Sequence, residues 1–355
     1  MFATRNEIRQ VLLSDKRGLA RKTMVNYYKH FPNAPGQDNK MYQRKARFDL
    51  EKTIEFLAES IAINRPEIFI NFLEWLMLTL KSLSFPTEDM LNSMLVLQQT
   101  LSAEYPGEKG EQMEKVLAMA LQRMWEYDGE LETNIKSDAP LSDLAKTYLE
   151  HLLVGNRMQA REMIVNYAHN VEDVRDLYLW VFQPAMREVG RLWQMNEATV
   201  AQEHYVTAAT QLIMSQLYPL IFGGERRNQT MIATCVGGEL HEVGMRMVSD
   251  FFEMDGWDTF FTGSNTPSSS IVTTLKQEDA VLLGVSATMT SHISSLSEII
   301  EAVRSDSELD HVKILVGGYP FLVIDNLWKD LGADGYGRDA NEAVLLASDW
   351  FGSAA

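Results

Sequence analysis

A histidine lies in a glycine-rich segment, two residues after an acid. The segment, residues 237–244, reads Gly-Gly-Glu-Leu-His-Glu-Val-Gly and follows a short apolar run that predicts a β-strand. Ligands of open α/β sheets bind beyond the carboxyl ends of the strands, so we expect His241 at the mouth of a sheet. An imidazole binds a metal well when an acceptor holds its other nitrogen, and Glu239 is placed to be that acceptor. On these residues alone, an ordinary loop histidine remains the alternative.

Three ordered motifs resemble those of cobalamin-binding proteins. Residues 239–244 are similar to the family motif Asp-x-His-x-x-Gly, with glutamate replacing aspartate. Ser286-Ala-Thr288 stands where the family has Ser-x-Leu, with threonine replacing leucine, and Gly317-Gly318 follows the next predicted strand. The resemblance covers roughly residues 145–350. It implies that His241 replaces the cofactor's benzimidazole base below the cobalt, while the base and its nucleotide tail enter a slot.

Such a slot would require the small residues of the motifs at 286 and 317–318, because the nucleotide tail must lie directly against the backbone. The resemblance implies one cobalt ligand from the protein, His241. The cofactor-binding residues implied in this half of the chain are Glu239, His241, Gly244, Ser286, Thr288, Gly317 and Gly318.

A second resemblance concerns the helices before the motif. Trp193 is followed ten positions later by Glu203-His204, a Trp-x9-Glu-His spacing similar to the cap of cobalamin-dependent photoreceptors. It implies that these three residues cover the upper face of adenosylcobalamin. The alternative is a tryptophan packed between helices and an exposed acid–histidine pair. Gln194 replaces a histidine that captures cobalt after photolysis in the photoreceptor transcription factors, which leaves His204 or water as the upper ligand.

The N-terminal stretch resembles the helical domain of photocobilins, which holds biliverdin near cobalamin. Arg44 and Arg47 are candidate partners for the two propionates, and Phe72 and Trp75 are candidates for the apolar slot. Binding would be non-covalent, because no cysteine precedes Cys235. The alternative is that the aromatic residues form ordinary helical core and the cations a solvated face.

The periodicity of apolar residues predicts the elements that position these motifs. Three- and four-residue spacing predicts an all-helical sensor domain over residues 1–135 and a four-helix cap over 141–223, joined by turn formers at 133–140. Within the cap, breaks between helices are predicted near Asn170 and near residues 194–196. Alternation of short apolar runs and helical stretches then predicts a Rossmann-like, flavodoxin-like α/β domain over 228–355. The predicted strands are 231–236, 259–263, 280–285, 313–316 and a short strand near 335.

Composition limits the partners and the compartment. The net charge of −17 disfavours nucleic acid and anionic membranes, although residues 1–50 hold 11 Lys plus Arg against 4 Asp plus Glu. The single cysteine excludes an intramolecular disulfide and a thiolate zinc cluster. Since no signal region or membrane-spanning run is recognisable, we expect a cytoplasmic protein.

These features predict a light-sensing signalling protein, because the resemblance implies photolysis of adenosylcobalamin. Photolysis would change domain packing or the state of a homo-oligomer and act on an effector protein. Enzyme activity is not expected, because the remaining histidines, among them His292, show no ligand or triad spacing. The alternative function is a corrinoid methyl carrier of a methyltransferase system, which needs an open upper face. A third is a scaffold that has lost the cofactor.

Overall fold

The structure, a computed structural model, describes residues 2–34, 36–222 and 225–352. The chain divides into two compact units, Met1–Glu130 (unit 1) and Leu131–Ala355 (unit 2). The predicted helical cap and the predicted α/β domain both fall within unit 2. The predicted linker lies in turns and irregular structure between Trp125 and Ser142. The exact limits of the three predicted domains stay predictions.

The regular structure described in unit 1 is helical, as the sequence predicts. Asn39 caps the second helix by accepting hydrogen bonds from two backbone amides, and Asn64 ends it in the left-handed conformation. Pro66 opens the third helix, where its missing N–H has no partner to lose. The helices are α1 (Phe2–His30), α2 (Lys40–Ile63), α3 (Pro66–Ser82), α4 (Thr87–Glu104) and α5 (Glu108–Trp125).

Unit 2 begins with helices broken near Asn170 and after Gln194, where the sequence predicts breaks. One long helix is interrupted by a π-helical turn, Tyr178–Phe182, and a Thr199–Gln202 capping box starts the next helix. These helices are α6 (Ser142–Leu153), α7 (Arg157–Tyr167), α8 (Val171–Leu177), α9 (Gln183–Gln194) and α10 (Val200–Ile221). They share one hydrophobic core with the sheet that follows.

A five-stranded parallel sheet forms the rest of unit 2, in the order β2-β1-β3-β4-β5. This is the flavodoxin-like order, so the predicted Rossmann-like sheet is confirmed. The strands are β1 (Thr230–Cys235), β2 (Asp258–Phe261), β3 (Leu282–Ser286), β4 (Lys313–Gly317) and β5 (Gly335–Tyr336). The helices beside them are α11 (Val243–Met254), α12 (Ser268–Gln277), α13 (Ile293–Arg304), α14 (Tyr319–Val323), α15 (Leu327–Asp330) and α16 (Ala340–Phe351).

The strand order reverses between β1 and β3, and this reversal creates the crevice where such sheets bind ligands. At their carboxyl ends the three central strands align Cys235 with Ser286 and Ser286 with Gly317. The loops that follow β1 and β3 therefore meet over one row of residues. Within the described ranges, no helix has the length and hydropathy needed to cross a membrane.

Candidate functional site

The carboxylate of Glu239 is fully buried and organises the loop after β1. One oxygen, Oε1, accepts hydrogen bonds from the backbone amides of Leu240 and His241, each at 3.1 Å. The same oxygen lies 2.5 Å from Nδ1 of His241. The contact predicted from the two-residue spacing is therefore present, together with two backbone bonds that shape the loop.

The second oxygen of Glu239 reaches the loop after β3. Oε2 accepts hydrogen bonds from the backbone amides of Thr288, at 2.8 Å, and Met289, at 3.1 Å. It also lies 3.3 Å from Nδ1 of His292. One carboxylate thus joins both loops of the crevice. Because Thr288 contributes a backbone N–H, this contact does not depend on whether the side chain is threonine or leucine.

The donors around Glu239 decide its charge. Burial alone would raise the pKa of Glu239, but hydrogen bonds from His241, His292 and backbone amides hold its pKa well below its usual range. The hydrogen bond to Glu239 in turn raises the pKa of His241 more than burial lowers it. A lowered pKa makes Glu239 a charged acceptor at neutral pH.

A charged acceptor at Nδ1 selects the tautomer of His241. In the neutral imidazole Nδ1 carries the hydrogen, and Nε2 keeps the lone pair that a metal needs. The His241 side chain is 55% exposed, so this nitrogen is accessible from outside the unit. The neighbouring Leu240 is 80% exposed. Together they present one nitrogen ligand beside an uncovered apolar side chain.

The row of small residues beside this loop has the features of a slot. A Cβ atom added at Gly244 would meet no atom within 4 Å, and one at Gly317 would come no closer than 3.7 Å to the backbone. Ser286 donates a hydrogen bond to the Cys235 sulfur at 3.2 Å, and burial raises the pKa of that thiol to about 11. The open space and the small side chains fit an elongated group lying along the sheet.

Gly318 has a different role from its neighbour. Its φ of 105° is rarely adopted by other residues, and an added Cβ would lie 2.0 Å from the Ala287 carbonyl oxygen. Only glycine therefore lets the loop after β4 approach the loop after β3.

The cap residues lie at one end of a helix pair. Trp193 is in the last turn of α9 and is partly exposed, while Glu203 and His204 lie in the first turns of α10. Glu203 contributes to the raised pKa of His241, which places its charge within electrostatic reach of the loop after β1. Nδ1 of His204 lies 2.5 Å from the carboxylate of Glu203, and the His204 side chain is 72% exposed. Gln194 is buried.

His292 is the residue that the sequence reasoning missed. It was grouped with histidines lacking ligand spacing, yet its ring shares the Glu239 carboxylate, 53 residues away. Its ring also lies beside Gly238, where an added Cβ would come within 3.5 Å of Nε2. Its position shortly after the 286–288 motif was the only available signal.

The predicted biliverdin residues lie in unit 1. Phe72 is buried and stacks on Phe56, with ring centroids 3.9 Å apart, and on Trp75 at 6.2 Å. Arg47 lies 3.7 Å from Glu51, and Arg44 is exposed. The burial of Phe72 favours the alternative of ordinary helical core for that residue, whereas Trp75 is 37% exposed. Biliverdin binding stays a prediction.

Family models identify two regions of unit 2. A model described as a B12 binding domain matches residues 229–345, and a second model with the same description matches residues 144–218. The two regions contain the sheet with its loops and the helices before it. The predictions of a cobalamin cofactor and of a cobalamin-binding family are therefore confirmed.

Named relatives agree with these models. Dimethylamine corrinoid protein 3 of Methanosarcina acetivorans is 30% identical over 36% of this chain and 59% of its own length. Dimethylamine corrinoid protein 3 of Methanosarcina mazei is 30% identical over 32% of this chain and 67% of its own. The chain thus spans from about half to about three quarters of the length of the relatives it matches. A solved structure, the monomethylamine corrinoid protein of Methanosarcina barkeri, is 20% identical, with a TM-score of 0.51 over 59% of this chain and 96% of its own, and supports the fold alone.

These relatives contradict the prediction of a light-sensing function. They are corrinoid proteins named for dimethylamine. The Trp-x9-Glu-His spacing spans the end of one helix and the start of the next, so it does not specify what covers the cofactor. The findings favour the alternative function.

Proposed function

We propose that this chain, which belongs to the B12-binding protein family, is a corrinoid methyl carrier that works with a separate methyltransferase. The observation that carries this proposal is the buried Glu239 carboxylate, which holds Nδ1 of a half-exposed His241 at the mouth of the sheet. The kinship with corrinoid proteins named for dimethylamine supports the methyl group as the cargo.

In this proposal each motif binds a different part of the cofactor. Nε2 of His241 would hold the cobalt, because Glu239 fixes Nδ1 and so the direction of the Nε2 lone pair. The row of Cys235, Ser286 and Gly317 accommodates the base and nucleotide tail. When bound, the corrinoid supplies a cobalt centre that accepts and releases a methyl group.

In this proposal the helical cap covers the upper face of the cofactor. Trp193 and the Glu203–His204 pair would lie at that face. We propose methyl rather than adenosyl as the physiological upper group because the relatives are corrinoid proteins named for dimethylamine. The partner would reach the methyl group past the exposed end of the α9–α10 pair.

Cobalt ligation is tested by paramagnetic resonance of the full chain reconstituted with hydroxocobalamin and reduced to Co(II). We expect nitrogen splitting from one axial imidazole, changing from three lines to two when the protein is labelled with nitrogen-15. H241A should lose the labelled splitting, whereas H169A, an exposed histidine of unit 2, should retain it. Label-dependent splitting that persists in H241A would exclude His241 as the ligand.

Methyl transfer is tested in darkness with the chain loaded with carbon-13 methylcobalamin. A corrinoid:thiol methyltransferase should move the labelled methyl group to its thiol, and methylcobalamin should bind at least as tightly as adenosylcobalamin. Roughly tenfold tighter binding of adenosylcobalamin with no transfer in darkness would reject the proposal. Biliverdin binding is tested separately, as red absorbance on addition of biliverdin that R47A abolishes.

A further inference from the structure

The outer face of the first helix in unit 1 carries a stripe of exposed cations. Arg17, Arg21 and Val25 are each four residues apart, so they share one side of α1. All three side chains are exposed, and Val25 is more than half exposed. An apolar side chain therefore lies among cations on this side of α1.

The second helix carries a matching stripe. Met41, Arg44, Lys45 and Phe48 have three- and four-residue spacing on α2 and are all exposed, Met41 and Phe48 by more than half. Within the part of the chain that the structure describes, no carboxylate forms an ion pair with Arg21, Arg44 or Lys45.

Ion pairs between the helices bring the two stripes side by side. Lys16 contacts Glu55, and the Arg17 guanidinium lies 4.0 Å from Glu51, so α1 and α2 run antiparallel. In that register Arg21 lies level with the turn of α2 that contains Phe48. We name the combined surface the basic face. It consists of Arg17, Arg21, Val25, Met41, Arg44, Lys45 and Phe48.

The composition of the basic face is that of a protein contact. Arginine, methionine and phenylalanine are enriched in protein interfaces, where apolar side chains are surrounded by a polar rim. The positive charges of the basic face outnumber the nearby carboxylates of α2. A protein that binds this face should therefore be acidic. Arginine also favours carboxylates, which it binds in a bidentate manner.

The acidic counterpart is present in the same chain. Residues 131–355 hold 15 Lys plus Arg and 31 Asp plus Glu, whereas residues 1–50 hold 11 and 4. We propose that the basic face docks on the acidic surface of unit 2 in a second copy of this chain. Such a contact is heterologous, because the two surfaces that meet are different, and it builds a ring or an open chain of subunits.

The same charges disfavour other anionic partners. The net charge of −16 on unit 2 repels nucleic acid and anionic lipid but attracts the basic face of another copy. Since exposed charges are screened over roughly 10 Å in 0.1 M salt, the association should depend strongly on ionic strength. This proposal is independent of cobalamin chemistry.

Sedimentation velocity of the full chain tests the association. Between 50 and 500 mM NaCl we expect the dissociation constant to rise roughly tenfold or more. R21E/R44E/K45E should be monomeric at both salt concentrations. The matched control, K115E/K146E/R157E, has the same change in net charge at exposed cations outside the basic face and should associate like the parent.

Carbodiimide coupling of nitrogen-15 and unlabelled copies locates the contact. Mixed-isotope crosslinks should join Lys45 to carboxylates of residues 131–355. A parent chain that is monomeric at 50 mM NaCl, or a basic-face variant that still associates, would overturn the proposal. Binding to phosphatidylserine vesicles that R21E/R44E/K45E abolishes, without self-association, would assign the face to a membrane instead.

Discussion

Two acid–histidine pairs in unit 2 have the same contact distance and very different surroundings. Nδ1 of His241 and of His204 each lie 2.5 Å from a glutamate oxygen. Glu239 is completely buried and also binds backbone amides of two loops, whereas Glu203 and His204 are neighbours near the start of one helix, where His204 is mostly exposed.

The difference shows which pair can hold a ligand in a set direction. A buried carboxylate with several donors has one arrangement, because each oxygen is bound on more than one side. An exposed pair on adjacent residues exchanges its contact with water at little cost in free energy. The Glu239 pair is therefore suited to orient a metal ligand, whereas the Glu203 pair can change its contact easily.

The largest effect is expected for E239Q. The glutamine amide would place N–H groups against the backbone amides of Thr288 and Met289, leaving buried donors unpaired. Unit 2 should lose about 2–4 kcal/mol of stability, measured by hydrogen exchange, and cobalamin affinity should fall roughly 10- to 100-fold. An equal loss of stability and cobalamin affinity in E203Q would show that the two pairs do not differ in this respect.

The next largest effect on stability is expected at Asp250, a buried acid with fewer hydrogen-bond donors than Glu239. Burial raises the pKa of Asp250 from 3.8 to about 6, against a 2.8 Å hydrogen bond from Tyr178 and the charge of Arg246. The folded state therefore binds this proton more tightly than the unfolded state, and the contribution of Asp250 to stability falls as pH rises from about 4 to about 6.

D250N should remove that dependence. Relative to the parent, it should gain up to about 3 kcal/mol between pH 4 and pH 7.5, measured by hydrogen exchange of unit 2 at both pH values. Because D250N and the parent are compared at the same pH, the contribution of other titrating groups to stability is the same in both and cancels. A stability difference that stays constant across this range would show that Asp250 does not titrate there.

A smaller effect is expected for H292A. The variant removes one of several donors to Glu239, at 3.3 Å, so unit 2 should lose about 1 kcal/mol. Cobalamin affinity should fall by roughly three- to tenfold, while the labelled imidazole splitting from His241 remains. Loss of that splitting would instead make His292 the cobalt ligand.

The smallest effect is expected for H204A. Its side chain is mostly exposed and contacts only the adjacent Glu203 carboxylate among the contacts described, so stability should change by less than about 0.5 kcal/mol. Hydrogen exchange of the α10 peptides measures this change. A loss comparable to that of E239Q would show that both pairs are structural.

Much of the fold was readable from local patterns. Apolar runs at 231–236 and 313–316 correspond to β1 and β4, because parallel strands are buried on both faces and need continuous apolar residues. The breaks near Asn170 and Gln194 followed from capping and turn residues. The predicted light-sensing function was wrong: it rested on the resemblance of Trp193, Glu203 and His204 to a photoreceptor cap, whereas the relatives are corrinoid proteins named for dimethylamine.

Local sequence patterns predict the alternation of strands and helices, the acid two residues before His241 and the small residues after three strands. Packing of the sheet buries Glu239, brings its second oxygen to amides 49 and 50 residues away, and places His292 at the same carboxylate. Spacing within a loop is set by the covalent chain, whereas contacts between loops depend on strand order and register. Strand order and register arise only when the whole sheet packs.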